Sequence, residues 1–187
     1  SGDYYDYQSL DASRIALAVG DVAGKGISAA LLMATFQASL RALAALPGSL
    51  DTVVAGLNRY CCAHSLEGRR FTTALLAELD LASGALTYIN AGHNAPILRR
   101  ASGRLERLET GGLPLGIEAN AKYESGSMQL GRADMLVIFT DGLIEAVNEA
   151  GQEFTESRLL GFIGTLGNLR ATDVVKQLLA EVDRFVG

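Results

Sequence analysis

Three aspartates, Asp3, Asp21 and Asp141, are the residues of this sequence best suited to chemistry. Asp21 and Asp141 each follow an apolar run of strand length and stand beside a glycine, which is where a strand ends and the chain turns. If the three segments converge, their carboxylates form an all-oxygen cluster whose mutual repulsion is relieved by hard divalent cations, Mg²⁺ or Mn²⁺. The pattern predicts a metal-dependent hydrolase.

Asp6 is an alternative ligand in the first of these motifs. It follows Asp3 by three residues, and spacing alone does not decide which of the two side chains faces a metal. Asp141 taken alone is typical of an Asp-Gly turn, so its candidacy depends on the whole set of three aspartates.

The segment Gly20-Asp-Val-Ala-Gly-Lys-Gly26 has the glycines and the lysine of a phosphate-binding loop. A Walker loop, however, has four residues between its first glycine and the Gly-Lys pair, and a Ser or Thr after the lysine. Here three residues intervene and Gly26 follows the lysine. We therefore interpret the glycines as a tight strand-to-helix turn and Lys25 as a solvated lysine rather than a phosphate ligand.

His93 is a candidate general base, because histidine titrates near neutral pH. The sequence around it shows no Ser or Cys nucleophile motif, so a structural turn is the preferred interpretation. In that turn Gly92 permits the bend, and His93 and Asn94 satisfy backbone groups.

The two cysteines, Cys61 and Cys62, are adjacent in a predicted helix and cannot form a disulfide framework. They fit a reducing, cytoplasmic compartment. With His64 they would suggest zinc, but the sequence has no second Cys or His pair at finger spacing. We interpret them as small packing residues next to a surface histidine.

The composition of the chain limits the classes of protein to which it can belong. A chain of 187 residues suits one domain that buries roughly 70% of its unfolded surface. A hydrophobic content of 49% and a mean hydropathy of +0.20 argue against disorder. No apolar stretch reaches the roughly 20 residues of a membrane helix, so a soluble chain is expected. A net charge of −5 and the absence of basic runs argue against a nucleic-acid partner.

The elements that must position the aspartates begin with a continuous apolar run at residues 14–22, which predicts a strand covered on both faces. Residues 29–46 predict a largely buried helix that is capped by Ser28 and ended by Pro47-Gly48. A second helix is predicted from Ser49 or Asp51 to about residue 65, with Glu67-Gly68 after it.

Strands dominate the middle of the chain and helices its end. Residues 71–80, 85–91 and 96–100 predict an antiparallel meander, which residues 105–108 extend. Further strands are predicted at residues 123–130 and 135–139, and two helices within residues 156–185, with Thr155 and Thr172 as N-caps and a break at Gly164 and Gly167. The pattern indicates an α+β fold of two packed sheets with helices outside.

Five motifs in order along the chain resemble the SpoIIE/RsbU branch of the metal-dependent, protein phosphatase 2C-like serine/threonine phosphatases. The resemblance covers nearly the whole chain, and five colinear motifs are far more specific than any one of them. The motifs are Ser1-Gly-Asp-Tyr-Tyr-Asp6, Gly20-Asp-Val-Ala-Gly-Lys-Gly-Ile-Ser-Ala-Ala30, Ala91-Gly-His-Asn-Ala-Pro96, Gly112-Leu-Pro-Leu-Gly116 and Thr140-Asp-Gly-Leu-Ile-Glu-Ala-Val-Asn148.

The resemblance implies a four-layer α-β-β-α sandwich, a binuclear Mn²⁺ or Mg²⁺ centre, and catalysis that depends on Asp21 and Asp141. By motif position, Asp21 would bridge the two metals and Val22 would offer its backbone carbonyl, while Asp141 would bind one metal and Asp3 the other. The implied substrate is phosphoserine or phosphothreonine on a small regulatory protein, such as an anti-sigma-factor antagonist. An upstream sensor or receiver domain is also implied.

The end of the chain departs from that branch, whose members usually close with a strand carrying an Asp-Asp pair that supplies another metal ligand. This sequence stops at Arg184-Phe-Val-Gly187, and a first strand before the Gly-Asp motif is missing as well. We therefore expect residues 1–187 to be a single trimmed domain that binds metal weakly, with unpaired sheet edges that favour dimerisation. The alternative is a weakly active or inactive docking module in a partner-switching system.

Overall fold

The computed structural model describes residues 2–24, 26–46, 48–64 and 70–187, apart from the side chain of Ser28. The described chain forms an α+β fold with two mainly antiparallel sheets, as predicted. It divides into two compact units: Ser1–Ala95 with Leu108–Leu130, and Pro96–Arg107 with Gly131–Gly187. None of the helices in the described part of the chain is both long and apolar enough to span a membrane.

The first unit contains a sheet of six strands in the order β1-β2-β3-β4-β7, with β8 also paired to β4. All pairs are antiparallel except the short β4–β7 pair. The strands are β1 (Asp3–Ser9), β2 (Arg14–Val22), β3 (Thr72–Asp80), β4 (Ala85–Ala91), β7 (Gly111–Gly112) and β8 (Gly126–Gln129).

Two helices, α1 (Ile27–Ala44) and α2 (Leu50–His64), pack on one face of this sheet. Side chains alternate between the faces of a strand, so Ala18 and Val22 of β2 point into the core, where they meet residues from both helices. The helix residues of this core are Ala29, Met33, Phe36, Leu40, Leu50, Val53, Val54 and Leu57. This core fixes the end of β2, where Asp21 lies.

Helix α1 begins earlier than its predicted cap. Gly26 is the N-cap residue with φ 81°, and Ser28 lies in the first turn, so the prediction of Ser28 as N-cap was wrong. A positive φ is readily adopted by glycine, which explains why the boundary falls at Gly26. The helix is also less buried than expected, because Ile27 and Leu31 are 82% and 62% exposed.

The start of α2 agrees with one of its two predicted caps. The Thr52 N–H donates to Ser49 Oγ at 3.4 Å, whereas Asp51 lies inside the first turn. The predicted end at residue 65 and the Glu67-Gly68 turn lie outside the described residues.

The second unit has a three-stranded antiparallel sheet in the order β6-β5-β9. Its core combines Ile97 and Phe139 with Phe154 and with Leu159 and Ile163 of a helix. The elements are β5 (Ile97–Arg99), β6 (Leu105–Arg107), β9 (Met135–Val137), α3 (Asp141–Ile144), α4 (Glu156–Thr165) and α5 (Ala171–Val186).

The predicted meander was wrong at its third strand. β3 and β4 pair as expected, but β5 pairs with β6 and β9 in the other sheet. Two features explain the change of sheet. Gly92, with φ 69°, bends the chain after β4, and the edge of β4 where β5 was expected is taken by β7 and β8.

The carboxy-terminal helices follow the predicted order with one corrected boundary. Thr155 is the N-cap residue of α4, as predicted. Helix α5, however, is capped at Arg170, and Thr172 lies within its first turn. The break falls at residues 166–170, after Gly164, which is still helical.

Candidate metal centre

Asp3 and Asp21 lie directly opposite each other on β1 and β2. The neighbouring pair is hydrogen-bonded, since the Val22 N–H donates to the Gly2 carbonyl at 3.3 Å. Hydrogen-bonded and non-hydrogen-bonded pairs alternate along an antiparallel ladder, so Asp3 and Asp21 form a non-hydrogen-bonded pair. Their Cβ atoms are then only about 4.5–5.5 Å apart on one face. The sheet thus holds two carboxylates side by side at its rim.

Gly2 leaves a gap beside this pair that only glycine can leave. A Cβ atom at Gly2 would lie 2.7 Å from the carbonyl oxygen of Val22 and 2.8 Å from Oδ1 of Asp21. Two oxygens, one from a backbone carbonyl and one from a carboxylate, therefore border the same small space. Carboxylate and carbonyl oxygens are the donors that hard divalent cations prefer, so this donor set fits Mg²⁺ or Mn²⁺.

The Val22 side chain anchors this end of the strand. It is 2% exposed and packs in the apolar core beneath the sheet, while Asp21 points to the opposite face. The position of the Val22 carbonyl is thus set by the packing of the Val22 side chain in the core and by the pairing of β2 with its neighbouring strands.

Asp6 does not share the face of Asp3 and Asp21. It accepts hydrogen bonds from Arg41 Nε at 2.8 Å, from Arg41 Nη2 at 3.0 Å and from the Tyr4 hydroxyl at 2.8 Å. Although burial works to raise the pKa of Asp6, these hydrogen bonds outweigh it and hold the pKa below its usual value. Of the two carboxylates that the sequence left open, Asp3 is the one next to Asp21, and Asp6 joins β1 to helix α1.

Thr73 and His93 extend the row of polar side chains across the sheet. Thr73 of β3 is the residue opposite Asp21, and its Oγ1 lies 3.0 Å from Nδ1 of His93. His93 is only 6% exposed. The sequence singled out His93 but did not identify Thr73, because a threonine inside a strand carries no signal of its own.

Asn90 holds the backbone turn that contains His93. Its Oδ1 accepts from the His93 N–H at 2.7 Å, and its Nδ2 donates to the carbonyls of His93 at 3.0 Å and Leu108 at 3.2 Å. The predicted structural turn with Gly92 at the bend is therefore present, but its backbone groups are bound by Asn90 rather than by Asn94. A polar residue at the last buried positions of a strand, shortly before a glycine, was the signal available in the sequence.

A second buried asparagine, Asn58 of α2, was also missed. Its Oδ1 accepts from the Gly116 N–H at 3.0 Å, and its Nδ2 donates to the Glu118 carbonyl at 2.8 Å. Asn58 thereby fixes the end of the glycine-rich segment that begins at Gly111.

Asp141 lies in the second unit. It is half-buried and is the first residue of α3, with Thr140 as the N-cap residue, and its carbonyl accepts from the Glu145 N–H at 2.9 Å. The predicted turn after β9 is thus a single helical turn. A carboxylate in the first turn of a helix is electrostatically favourable, because the backbone N–H groups there lack partners within the helix.

Cys61 and the neighbouring His64 have contacts typical of packing residues rather than of metal ligands. Burial raises the pKa of Cys61 to about 11, so its thiol stays protonated at neutral pH. His64 donates from Nδ1 to the Tyr60 carbonyl at 2.8 Å and stacks on the Tyr60 ring.

Within residues 2–24, 26–46, 48–64 and 70–187, no three His, Cys, Asp or Glu side chains form a group that could hold a metal ion on their own. Lys25 lies outside the described residues.

Comparison with solved structures identifies the class of fold. The SiaA-PP2C domain of Pseudomonas aeruginosa superposes with a TM-score of 0.87 at 18% identity, over 100% of this chain and 74% of that one. A crystal structure of RsbX in complex with magnesium superposes with a TM-score of 0.73 at 17% identity, over 98% of this chain and 79% of that one. The fold is that of PP2C-type phosphatase domains.

Sequence comparison shows the family. The family model for Stage II sporulation protein E (SpoIIE) matches residues 11–187. Phosphoserine phosphatase RsbU of Bacillus subtilis is 32% identical over 152 residues, covering 81% of this chain and 45% of RsbU. The chain belongs to the SpoIIE family and has the fold of PP2C-type phosphatase domains, a family in which metal dependence is typical. It spans 33%, 37% and 45% of the curated relatives IcfG, RsbP and RsbU, less than half of each.

Proposed function

We propose that this chain hydrolyses phosphoserine or phosphothreonine on a small regulatory protein, with Mn²⁺ or Mg²⁺ held by the Asp3, Asp21 and Asp141 carboxylates and the Val22 carbonyl. The observation that carries the proposal is the opposed pair Asp3 and Asp21, whose neighbouring gap at Gly2 is bordered by oxygens of Asp21 and Val22. Two adjacent anions at a sheet rim repel each other unless a cation lies between them.

The role of each ligand is proposed from its motif position. Asp21, which lies between Asp3 on one strand and Thr73 on the other, would be the carboxylate shared by two cations. Asp3 would hold one cation, and Asp141, at the start of α3, the other. When bound, divalent cations lower the pKa of a water molecule and screen the negative charge of a phosphate ester.

The His93 turn has a supporting role in this proposal. The hydrogen bond between Thr73 Oγ1 and His93 Nδ1 fixes the side chain next to Asp21, and Asn90 fixes His93. Such outer contacts orient ligands and typically change metal affinity or activity by about 10- to 100-fold when removed. His93 and Thr73 are thus assigned as positioning residues for Asp21.

The proposed substrate is a phosphorylated regulatory protein of the anti-sigma-factor antagonist type in a partner-switching pathway. Membership of the SpoIIE family and the likeness to the phosphoserine phosphatase RsbU support it. The magnesium in the RsbX structure supports Mg²⁺ as one usable cation. A sensor or receiver domain in the same pathway would control the activity.

The test is hydrolysis of a phosphoserine peptide and of an aryl phosphate by the chain, with and without Mn²⁺ or Mg²⁺. We expect phosphate release that needs the cation and stops with a chelator, and that Asp21→Asn abolishes. Glu109→Gln, a change of an exposed carboxylate elsewhere in the same unit, is the matched control. Chelator-resistant hydrolysis would refute the metal mechanism, and tight binding of a phosphoprotein without phosphate release would favour the docking module.

A further inference from the structure

A cavity of about 310 Å³ lies in the first unit, between the sheet and the two helices α1 and α2, and Leu46 and Gly48 are among its wall residues. It is at the opposite end of β1 and β2 from the Asp3 and Asp21 pair, where Ser9 lies opposite Ile15. Ala18, the wall residue of β2 nearest to Asp21, precedes it by three residues, which is roughly 10 Å along a strand, and its side chain lies on the opposite face of the sheet. The cavity is therefore separate from the candidate metal centre.

The walls of the cavity combine apolar and polar surface in similar amounts. Leu40 of α1, Leu50 and Val53 of α2, and Leu76 of β3 line it, and each is at most 8% exposed. Sites for small molecules in proteins typically have volumes of about 300–1,000 Å³, apolar walls and a few polar groups. The cavity lies at the lower end of that size range and has an apolar part, so its polar groups determine what could bind.

Two of the charged side chains at the cavity already have partners. Arg41 is held by Asp6 through two hydrogen bonds of 2.8 and 3.0 Å. Arg14 donates from Nε to Asp11 at 2.7 Å. These two pairs are internally neutralised, so neither presents a net charge to the cavity.

Glu78 is different. It is half-buried on β3, opposite Ala16 of β2. Among the residues that the structure describes, none forms an ion pair with Glu78 within 4.0 Å. Its charge acts on Arg14, but that guanidinium is already bound to Asp11. A carboxylate at the wall of a cavity attracts a cation that enters the cavity. Among the described residues, the cavity thus combines an apolar part with one carboxylate that lacks an ion-pair partner.

We propose that this cavity binds a small organic cation, an amine or guanidine with an apolar body, whose charged group lies at Glu78. The apolar body fills the space between the sheet and the two helices. The negative charge of Glu78 excludes anions with the same body, since a carboxylate there would face a like charge.

The preference for a cation can be measured with three probes that share one apolar body: 4-phenylbutylamine, 4-phenylbutanol and 4-phenylbutyrate. Binding is followed through the methyl NMR signals of Leu50 and Val53, which line the cavity. We expect saturable shifts with the amine, and a dissociation constant at least about tenfold lower than that of the alcohol, the size of one favourable ion pair. The carboxylate should bind more weakly than the alcohol.

Two variants test separately the charge of Glu78 and the volume of the cavity. Glu78→Gln should reduce the affinity for the amine to that of the alcohol, whereas Glu109→Gln, the exposed control, should change nothing. Ala44→Phe fills the cavity from α1 and should abolish binding of all three probes. Equal binding of amine and carboxylate, or no saturable shift with any probe on the unmodified chain, would overturn the proposal.

Discussion

Asp3 and Asp21 face each other across β1 and β2 as a non-hydrogen-bonded pair at one end of the sheet. Like charges at directly opposite positions destabilise an antiparallel pair by up to about 1 kcal/mol. The pair therefore provides a direct way to separate function from folding.

The first prediction concerns Asp21→Asn. We expect loss of phosphatase activity, because a neutral amide neither bridges cations nor attracts them. Unfolding in the presence of a chelator should at the same time need about 0.5–1 kcal/mol more free energy, since one of two repelling charges is gone. Urea unfolding and phosphate release measured on the same preparation check both halves. If the variant instead unfolds, Asp21 is a structural turn residue and its assignment as a ligand fails.

The second prediction concerns the gap at Gly2. Gly2→Ala places a Cβ within 2.8 Å of an Asp21 carboxylate oxygen and of the Val22 carbonyl oxygen, so these oxygens must move. We expect the Mn²⁺ concentration for half-maximal activity to rise by about tenfold or more, the usual effect of misplacing a ligand.

The matched control for Gly2→Ala is Gly161→Ala. Gly161 lies within α4, and a Cβ atom at this position would meet no atom of the described chain within 4 Å outside its own helical surroundings. This change should leave metal activation unchanged and should stabilise the helix by about 0.5–1 kcal/mol. An unaltered Mn²⁺ requirement in Gly2→Ala would show that the gap does not border the cation.

The carboxylate pair illustrates what the sequence could predict. The apolar run at residues 14–22 predicted β2 with its observed bounds, because a buried strand needs continuous hydrophobicity and Gly20 and Asp21 mark its end. The motif around Asp3 supplied a second candidate carboxylate. The choice between Asp3 and Asp6 required the register, since only pairing with β2 decides which face each side chain takes.

The sheet to which β5 belongs could not be predicted from local patterns. Residues 96–100 have the composition of a strand in either sheet, and the decision depends on β7 and β8, which occupy the free edge of β4 from a distant part of the sequence. Asn90 was missed for a related reason. Its partners are the His93 backbone and Leu108, and the second of these lies 18 residues away.

The third prediction tests Asn90. The buried side chain makes three hydrogen bonds to backbone groups, so Asn90→Ala leaves the His93 N–H and two carbonyls to find new partners. We expect a loss of about 2–4 kcal/mol in the free energy of unfolding, as for other buried polar groups left unsatisfied. Asn94→Ala, four residues further on, should cost less than about 0.5 kcal/mol. Equal effects of the two changes in urea unfolding would contradict the role given to Asn90.

The last prediction concerns pH and the second unit, where the Asp134 side chain is 8% exposed. Burial works to raise its pKa, but hydrogen bonds from the Gly131 N–H, from Arg100 and from the Ala101 N–H outweigh burial and hold the pKa below its usual value. A carboxylate whose pKa is depressed by folding stabilises the native state above its unfolded pKa of about 3.9 and loses that contribution as the pH falls through its folded pKa.

Asp134→Asn should therefore lower the free energy of unfolding by about 1–3 kcal/mol at pH 7, and the difference from the unmodified chain should shrink between about pH 4 and pH 2. Asp183→Asn, an exposed change in the same unit, should show no such pH dependence. Urea unfolding of the three proteins across this range measures the effect, and a stability difference that stays constant from about pH 7 to pH 2 would mean that Asp134 acts through its shape and not through its charge.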